Sequence, residues 1–144
     1  MDLQVELVGS DAIAPTRAHD GDAGLDLYAT GRAYLPPGHR VRMDVGVKVA
    51  IPEGYVGLVV PRSGLARRDG VTVLNAPGVI DAGFRGRVGV LLVNLSSHAA
   101  VVAPGERVAQ LLVQRVERPV VRVVEALPVA EDGRGAGGFG STGR

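Results

Sequence analysis

Glycine and proline recur every few residues along this chain, and their spacing is the feature that most restricts its fold. The 144 residues include 21 Gly and 9 Pro, so few stretches are long enough for an uninterrupted helix. Between them lie short runs rich in Val, Leu and Ile, in which apolar and polar residues alternate. Alternation with a period of two is typical of strands with one buried face. The sequence therefore predicts an all-β domain of many short strands joined by turns.

The clearest alternation lies between residues 40 and 50. Apolar side chains occupy every second position there, at Val41, Met43, Val45, Val47 and Val49. Most positions between them are charged, which predicts one buried and one hydrated face. Further strands are predicted at residues 3–7, 25–29, 55–60, 71–74, 87–94, 107–116 and 120–126. Together they predict a jelly-roll-like β-sandwich with one short helix over Ser63–Asp69, which the Ser63 side chain can cap.

Composition predicts one compact domain followed by a short arm. Apolar residues make up 46% of the chain, enough for a core, but only 3% are aromatic, so Val, Leu, Ile and Ala must form it. We predict a domain over residues 1–127 and an arm over residues 128–144. From residue 131 the arm has the sequence EDGRGAGGFGSTGR, which offers almost nothing to bury. From composition alone it is either a frayed end or a lid.

Charge and residue content exclude several classes of protein. The formal net charge is +1, so no strong field attracts nucleic acid or an anionic membrane. There is neither a secretory signal pattern nor an apolar run of membrane-spanning length, which favours a cytoplasmic protein. Cysteine is absent, so disulfides and thiolate chemistry are excluded. The only lysine is Lys48, which excludes a Walker A loop, and the three histidines lack the spacing of metal ligands.

Two segments contain residues that could carry chemistry. In the first, Arg62, Ser63 and Gly64 stand where a strand ends and the short helix begins, so free N–H groups, a hydroxyl and a fixed charge can face a phosphate. The simpler interpretation is a capped helix start. In the second, turn-forming residues surround Asp81 and Phe84. Taken alone, Asp81 would bond its own backbone and Phe84 would belong to the core.

Two further positions, which attract little notice singly, and one further segment complete the candidates. Asp26 and Gln110 each lie in an alternating strand, where a polar residue normally faces solvent. The glycine-rich arm offers a charge, a ring and two hydroxyls on a pliable backbone, at Arg134, Phe139, Ser141 and Thr142. Such groups suit a flap that wraps phosphates, although a disordered terminus has the same composition.

Taken together and in order, these five segments resemble the five motifs of the homotrimeric dUTPases. The resemblance runs from AHDGDAGLDLYA at residues 18–29 to RGAGGFGSTG at residues 134–143 and covers nearly the whole chain. It implies a β jelly-roll homotrimer with shared active sites. The implied activity is Mg²⁺-dependent hydrolysis of dUTP to dUMP and pyrophosphate, which limits uracil incorporation into DNA and supplies dUMP for dTMP synthesis.

The resemblance also implies a role for each matching residue. Arg62, Ser63 and Gly64 would hold the phosphates, Gln110 would contact the α-phosphate, and Asp26 would orient water around Mg²⁺. Asp81 would be the catalytic carboxylate. The hairpin that begins at Asn75 and includes Gly78 and Ile80 would bind uracil, largely with main-chain groups, and Phe84 would lie against the deoxyribose. From a neighbouring subunit's arm, Phe139 would cover the base, and the residues that close over the phosphates would be Arg134, Gly140, Ser141 and Thr142.

The chain departs from the family pattern at two positions. Phe84 stands where the family usually has Tyr, and Arg87 replaces the usual Glu and has no assigned role. One alternative is the dCTP deaminase branch of the same fold, but Leu91 occupies the position of that branch's catalytic Glu. A second alternative is a trimeric binding or regulatory module without catalysis, against which the presence of Asp81 argues.

Overall fold

The computed structural model describes residues 1–131 and 135–136, and these residues form eleven strands and one short helix. In chain order the elements are β1 (Gln4–Leu7), β2 (Leu25–Tyr28), β3 (Ala33–Leu35), β4 (Arg40–Asp44), β5 (Val47–Ala50), β6 (Tyr55–Val60), α1 (Ser63–Asp69), β7 (Val71–Val73), β8 (Gly78–Ile80), β9 (Gly89–Asn94), β10 (Ala100–Val102) and β11 (Arg107–Arg115). The all-β prediction is confirmed.

The strands pair in four antiparallel sheets. The largest has the order β2-β11-β6-β8, a second has the order β4-β9-β7, and β1-β5 and β3-β10 form two-stranded sheets. The strands of the largest sheet carry or adjoin four of the five predicted motifs. Asp26 lies on β2, Gln110 on β11 and Arg62 just beyond β6, and the predicted uracil hairpin contains β8.

The alternation between residues 40 and 50 buries four of its five apolar side chains as predicted, and the fifth, Val41, is half-buried against the core. Met43, Val45, Val47 and Val49 are each at most 4% exposed. The run forms two strands rather than one, because the chain turns at Gly46, whose φ is +67°. A side chain at Gly46 would also place its Cβ 2.7 Å from Cγ2 of Thr30, so both backbone and space require glycine there.

Aliphatic side chains fill the core, as the low aromatic content predicts. Its largest fully buried members include Leu27, Leu35, Ile51, Leu92 and Leu111. Phe84 is 42% exposed, so the interpretation of this ring as a core residue is wrong. An apolar ring at the surface is free to contact a ligand.

Two details of the secondary structure differ from prediction. Residues 120–126 form no strand, because an extended run needs a neighbouring strand to satisfy its backbone and the described part of the chain supplies none here. Three strands of three residues each, β3, β8 and β10, were not predicted as strands, because such lengths are too short to show alternation.

Helix α1 has the predicted bounds, but the predicted Ser63 cap is wrong. Arg62 is the N-cap residue, with φ −94° and ψ 125°, and no side-chain hydrogen bond caps the helix. The helix ends at Gly70, whose φ of +65° suits a left-handed C-cap. No helix in the described residues is long and apolar enough to cross a membrane. The cytoplasmic location and the boundary at residue 127 stay predictions.

Candidate active site

Five of the predicted site residues line one cavity beside strand β8. The cavity has a volume of about 160 Å³, and its predicted members are Asn75, Gly78, Ile80, Asp81 and Phe84. We call it the hairpin cavity. Four valines form its apolar side: Val59 of β6, Val73 of β7, Val88 just before β9 and Val90 on β9. A flat ring could pack there with polar groups at the rim.

Strand β8 forms the edge of its sheet in the described structure. It pairs with β6 alone, with Ile80 opposite Gly57 and Gly78 opposite Val59. An edge strand has backbone N–H and C=O groups that no ladder uses, and such groups can recognise a ligand. Gly78 also lets the hairpin pack closely, because a Cβ there would lie 3.3 Å from Nδ2 of Asn75 and 3.4 Å from Cβ of Val59.

The Asp81 side chain lies at the end of β8 and is exposed. The turn that follows is closed by a hydrogen bond from the Phe84 N–H to the Asp81 carbonyl at 3.0 Å. This turn therefore fixes the backbone on which both the carboxylate and the ring are mounted. Arg87, to which the sequence assigned no role, also lines the hairpin cavity and forms a 3.1 Å ion pair with Asp44.

A second group of predicted residues meets around the Asp26 carboxylate. Arg62 Nε donates to Oδ1 of Asp26 at 2.9 Å, and Gln110 Nε2 donates to the same oxygen at 3.1 Å. Arg107 Nη1 donates to Oδ2 at 3.3 Å. We call these four residues the Asp26 cluster. The structure thus brings three predicted residues together and adds Arg107, which the sequence analysis missed.

Burial of Asp26 corrects the expectation that it faces solvent. The residue is 3% exposed, whereas a polar residue in an alternating strand normally points to water. Burial of a carboxylate is tolerated here because two guanidinium groups and an amide donate to it. Gly24 contributes space, since a Cβ at that position would lie 3.1 Å from Cδ of Gln110.

A shift of register explains how Arg107 reaches the cluster. On β2, Tyr28 pairs with Arg107, Leu27 with Ala109 and Asp26 with Gln110, so β11 uses one more residue than β2 over this stretch. In a regular strand, positions 107 and 110 would point to opposite faces. A β-bulge lets both side chains approach Asp26.

The start of α1 lies in the segment that is predicted to hold the phosphates, which we call the phosphate segment. Arg62, Ser63 and Gly64 follow β6 directly, and the first turn contains no acidic residue. A Cβ at Gly64 would meet no atom within 4 Å, so internal packing does not require glycine at that position. Open space, free N–H groups and a neighbouring arginine suit an anion.

Five predicted residues of the arm lie outside the described residues; they are Arg134, Phe139, Gly140, Ser141 and Thr142. In the described residues no group of three His, Cys, Asp or Glu side chains could hold a metal ion. A divalent ion that binds mainly through a ligand's phosphates and waters needs no such group. Asp26 accepts three hydrogen bonds, whereas a carboxylate offers about four acceptor positions, so one position fits a bridging water.

Comparison with known proteins identifies the family. A family model described as dUTPase matches residues 10–143. The deoxyuridine 5'-triphosphate nucleotidohydrolase of Mycobacterium sp. (strain JLS) is 53% identical over 133 residues, which cover 90% of this chain and 86% of the relative.

Two solved phage structures are also similar. The Staphylococcus bacteriophage 80alpha dUTPase with dUpNHpp has a TM-score of 0.91 and 31% identity over 99% of each chain. A mutant dUTPase from phage phi11 of S. aureus, described with a structural Mg(II) ion, has a TM-score of 0.81 and 28% identity over 88% of this chain and 98% of its own. The family model and the bacterial relative span nearly all of the sequence, and the chain belongs to the dUTPase family.

Proposed function

We propose that Asp81 is the general base with which this dUTPase hydrolyses dUTP to dUMP and pyrophosphate. The observation that carries the proposal is the exposed carboxylate of Asp81 on the hairpin cavity that Asn75, Gly78 and Phe84 also line. A carboxylate beside a nucleotide can orient a water and accept its proton during in-line attack on the α-phosphorus. Hydrolysis of dUTP limits uracil incorporation into DNA and supplies dUMP for dTMP synthesis.

Uracil is bound in the hairpin cavity, by the main chain of the hairpin that contains β8. Uracil offers an N3–H donor and an O4 acceptor, whereas cytosine offers an acceptor and an amino donor. Backbone groups cannot exchange these roles, so cytosine leaves buried polar groups unpaired and is rejected. The free edge of β8 supports this assignment, as does the lack of space for a Cβ at Gly78, which would lie 3.3 Å from Nδ2 of Asn75.

The deoxyribose lies against the ring of Phe84. The ring is partly exposed at the mouth of the hairpin cavity, where it can contact a sugar. A ribose would bring a 2′-hydroxyl against an apolar surface that offers it no hydrogen bond, and that desolvation disfavours UTP.

The phosphates are held by Arg62, Ser63 and Gly64, and Gln110 contacts the α-phosphate. The charge of the Asp26 cluster supports this role, because one carboxylate between two guanidinium groups leaves a net positive charge. Asp26 would hold Mg²⁺ through a bridging water, and the ion would supply positive charge that neutralises the phosphates. Asp26 has a second task in the proposal, which is to hold Arg62 and Gln110 in place.

The enzyme acts as a homotrimer whose active sites are shared between subunits. Asp81 follows Ile80, which pairs with Gly57 near the start of β6, whereas Arg62 lies beyond the other end of that strand. From position 56 to position 62 an extended chain rises roughly 20 Å. A base must lie within hydrogen-bond reach of its water, so the Asp81 that serves a phosphate at Arg62 belongs to a neighbouring copy.

Exposed apolar side chains after β11 also support assembly. Val120, Val121, Val123, Leu127 and Val129 are 83–97% exposed. A run of this kind is costly in water and is typical of a segment that packs on a partner. The arm of residues 128–144 then closes over a neighbouring active site, where Phe139 covers the base and Arg134, Gly140, Ser141 and Thr142 contact the phosphates.

A panel of nucleotides tests the proposed activity. Pyrophosphate release is measured with dUTP, dCTP, dTTP and UTP, with and without Mg²⁺, and ammonia is measured with dCTP. We expect release of pyrophosphate from dUTP and no ammonia from dCTP, since the half-buried Leu91 on β9 has no proton to transfer. Ammonia from dCTP would indicate the deaminase alternative, and tight dUTP binding without pyrophosphate release would indicate a binding module.

A further inference from the structure

Arg85 joins the two ends of the turn that carries Asp81 and Phe84. One guanidinium nitrogen, Nη1, donates to the carbonyl of Ala82 at 2.6 Å and to the carbonyl of Phe84 at 2.7 Å. Together with the bond from the Phe84 N–H to the Asp81 carbonyl, three hydrogen bonds tie the segment 81–85 to itself. Both bonds from Arg85 involve a charged donor and are therefore stronger than ordinary ones.

The turn has little else to hold it. Asp81, Gly83, Phe84 and Arg85 are all exposed, so the packing that immobilises a core residue is absent here. Exposed loops are mobile unless local bonds fix them. The position of the Phe84 backbone therefore depends on the bond that its own N–H donates to Asp81 and on the two bonds from Arg85.

The ring of Phe84 has one close neighbour in this segment. A Cβ at Gly86 would lie 2.7 Å from Cζ and 3.0 Å from Cε2 of Phe84, so the ring folds back over the space that glycine leaves. Because Phe has no hydroxyl, no hydrogen bond can anchor the ring itself. Its orientation is set by the backbone that Arg85 holds and by contact with Gly86.

We propose that Arg85 is a positioning residue for sugar selection, which fixes the Phe84 ring where it excludes a ribose. The inference rests on the proposed function, in which Phe84 lies against the deoxyribose. Arg85 touches neither base nor phosphate in this proposal and acts only through the turn. Its loss should therefore affect the choice between dUTP and UTP more than the chemistry at Asp81.

The test is the ratio of kcat/KM for dUTP to kcat/KM for UTP in the full-length protein. This ratio does not depend on the concentration of active enzyme, so partial unfolding of a variant leaves it unchanged. We expect Arg85→Gln to lower the ratio by roughly an order of magnitude, the size of effect that small steric differences produce. Arg85→Lys keeps a charged donor and should retain more of the ratio than Arg85→Gln. Arg40→Gln, which removes the same charge from an exposed position on β4, serves as the matched control.

A double variant separates positioning from a general effect. Phe84→Ala should lower the ratio, and Phe84→Ala with Arg85→Gln should lower it no further, because Arg85 acts through the ring. If Phe84→Ala lowers the ratio and Arg85→Gln leaves it unchanged, the inference on Arg85 fails and the proposed role of Phe84 stands. If the two substitutions lower the ratio independently, so that their effects multiply in the double variant, the inference on Arg85 also fails. If Phe84→Ala itself leaves the ratio unchanged, both the sugar contact and the role of Arg85 are wrong.

Discussion

The guanidinium of Arg107 donates to Oδ2 of Asp26 at 3.3 Å, although 81 positions separate the two residues in the chain. Arg62 occupies the other oxygen at 2.9 Å. A single arginine would cancel the charge of the carboxylate, whereas two leave an excess positive charge beside the phosphate segment. With Arg107 present, Asp26 can hold Arg62 while the Asp26 cluster keeps the positive charge that the proposed phosphate site needs.

Arg107→Gln should weaken dUTP binding more than it slows turnover. We expect KM to rise about fivefold, as loss of a charge interaction of about 1 kcal/mol would give, with a smaller change in kcat. Arg107→Lys keeps the charge, so its KM for dUTP should be close to that of the parent protein. Steady-state kinetics at low and high salt measure KM and kcat. The difference in KM between Arg107→Gln and the parent protein should shrink as the salt concentration increases. An unchanged KM at low salt contradicts this role for Arg107.

Asp26→Asn should destabilise the fold. It removes the charge that both guanidinium groups share, and Arg62 and Arg107 are only 24% and 46% exposed in their side chains. Breaking a fully buried pair costs about 3–5 kcal/mol, and the partial exposure here lowers our expectation to about 2 kcal/mol. Urea denaturation at a fixed protein concentration measures the loss.

Asp69→Asn is the matched control for that measurement. Asp69 pairs with Arg68, whose side chain is 63% exposed, so we expect a loss below about 1 kcal/mol. Equal losses in the two variants contradict a special role for the Asp26 cluster.

Sequence could predict the members of the Asp26 cluster only where a local pattern points to them. Arg62, Asp26 and Gln110 were identified through the family motifs, but alternation placed Asp26 and Gln110 on a solvent-facing side. The bulge between Arg107 and Ala109 changes which side chains meet, and no residue type in that stretch predicts it. Arg107 was missed for this reason.

For the fold too, sequence predicted the patterns that persist over several residues and failed for features that depend on which strands pair. The alternation of residues 40–50 predicted a buried face correctly, because each side chain obeys the same two-residue period. Residues 120–126 have equally strong strand propensity but no partner strand in the described structure. Propensity describes a side chain's fit to a pleated surface, and only tertiary contacts decide whether that surface exists.

Asp81→Asn should bind nucleotide and lose turnover. Asparagine preserves the size of the side chain but cannot accept the proton of water, so kcat should fall by about a hundredfold or more. Titration calorimetry with dUpNHpp measures binding, and pyrophosphate release measures turnover. Asp11→Asn, which removes an exposed acid from the N-terminal turn, is the control. Parent-like turnover in Asp81→Asn would refute the assignment of the base.

Gly86→Ala should disturb the Phe84 ring without straining the backbone. Gly86 is not among the residues with positive φ, so the only conflict of an added methyl is with the ring, at 2.7 Å. We expect kcat/KM for dUTP to fall by about tenfold, because a displaced ring no longer packs on the sugar. Gly31→Ala, where a Cβ meets no atom within 4 Å, should behave like the parent. Equal kcat/KM for dUTP in Gly86→Ala and Gly31→Ala contradicts the proposed contact of the Phe84 ring with the sugar.

Two truncations should separate the role of the apolar segment after β11 from the role of the arm. Removal of residues 131–144 should leave the proposed homotrimer folded and cripple catalysis, since it takes away Arg134, Phe139, Ser141 and Thr142 but keeps the exposed valines. Removal of residues 117–144 should also weaken assembly, because it deletes Val120, Val121 and Val123 and leaves the partner surface on which they are proposed to pack exposed to water. Sedimentation velocity measures the assembly state, and pyrophosphate release measures activity. Neither truncation should unfold the domain, because β11 ends at Arg115 and the buried core lies before that residue. Dissociation on removal of residues 131–144, or unchanged assembly on removal of residues 117–144, contradicts the separate roles of the two segments.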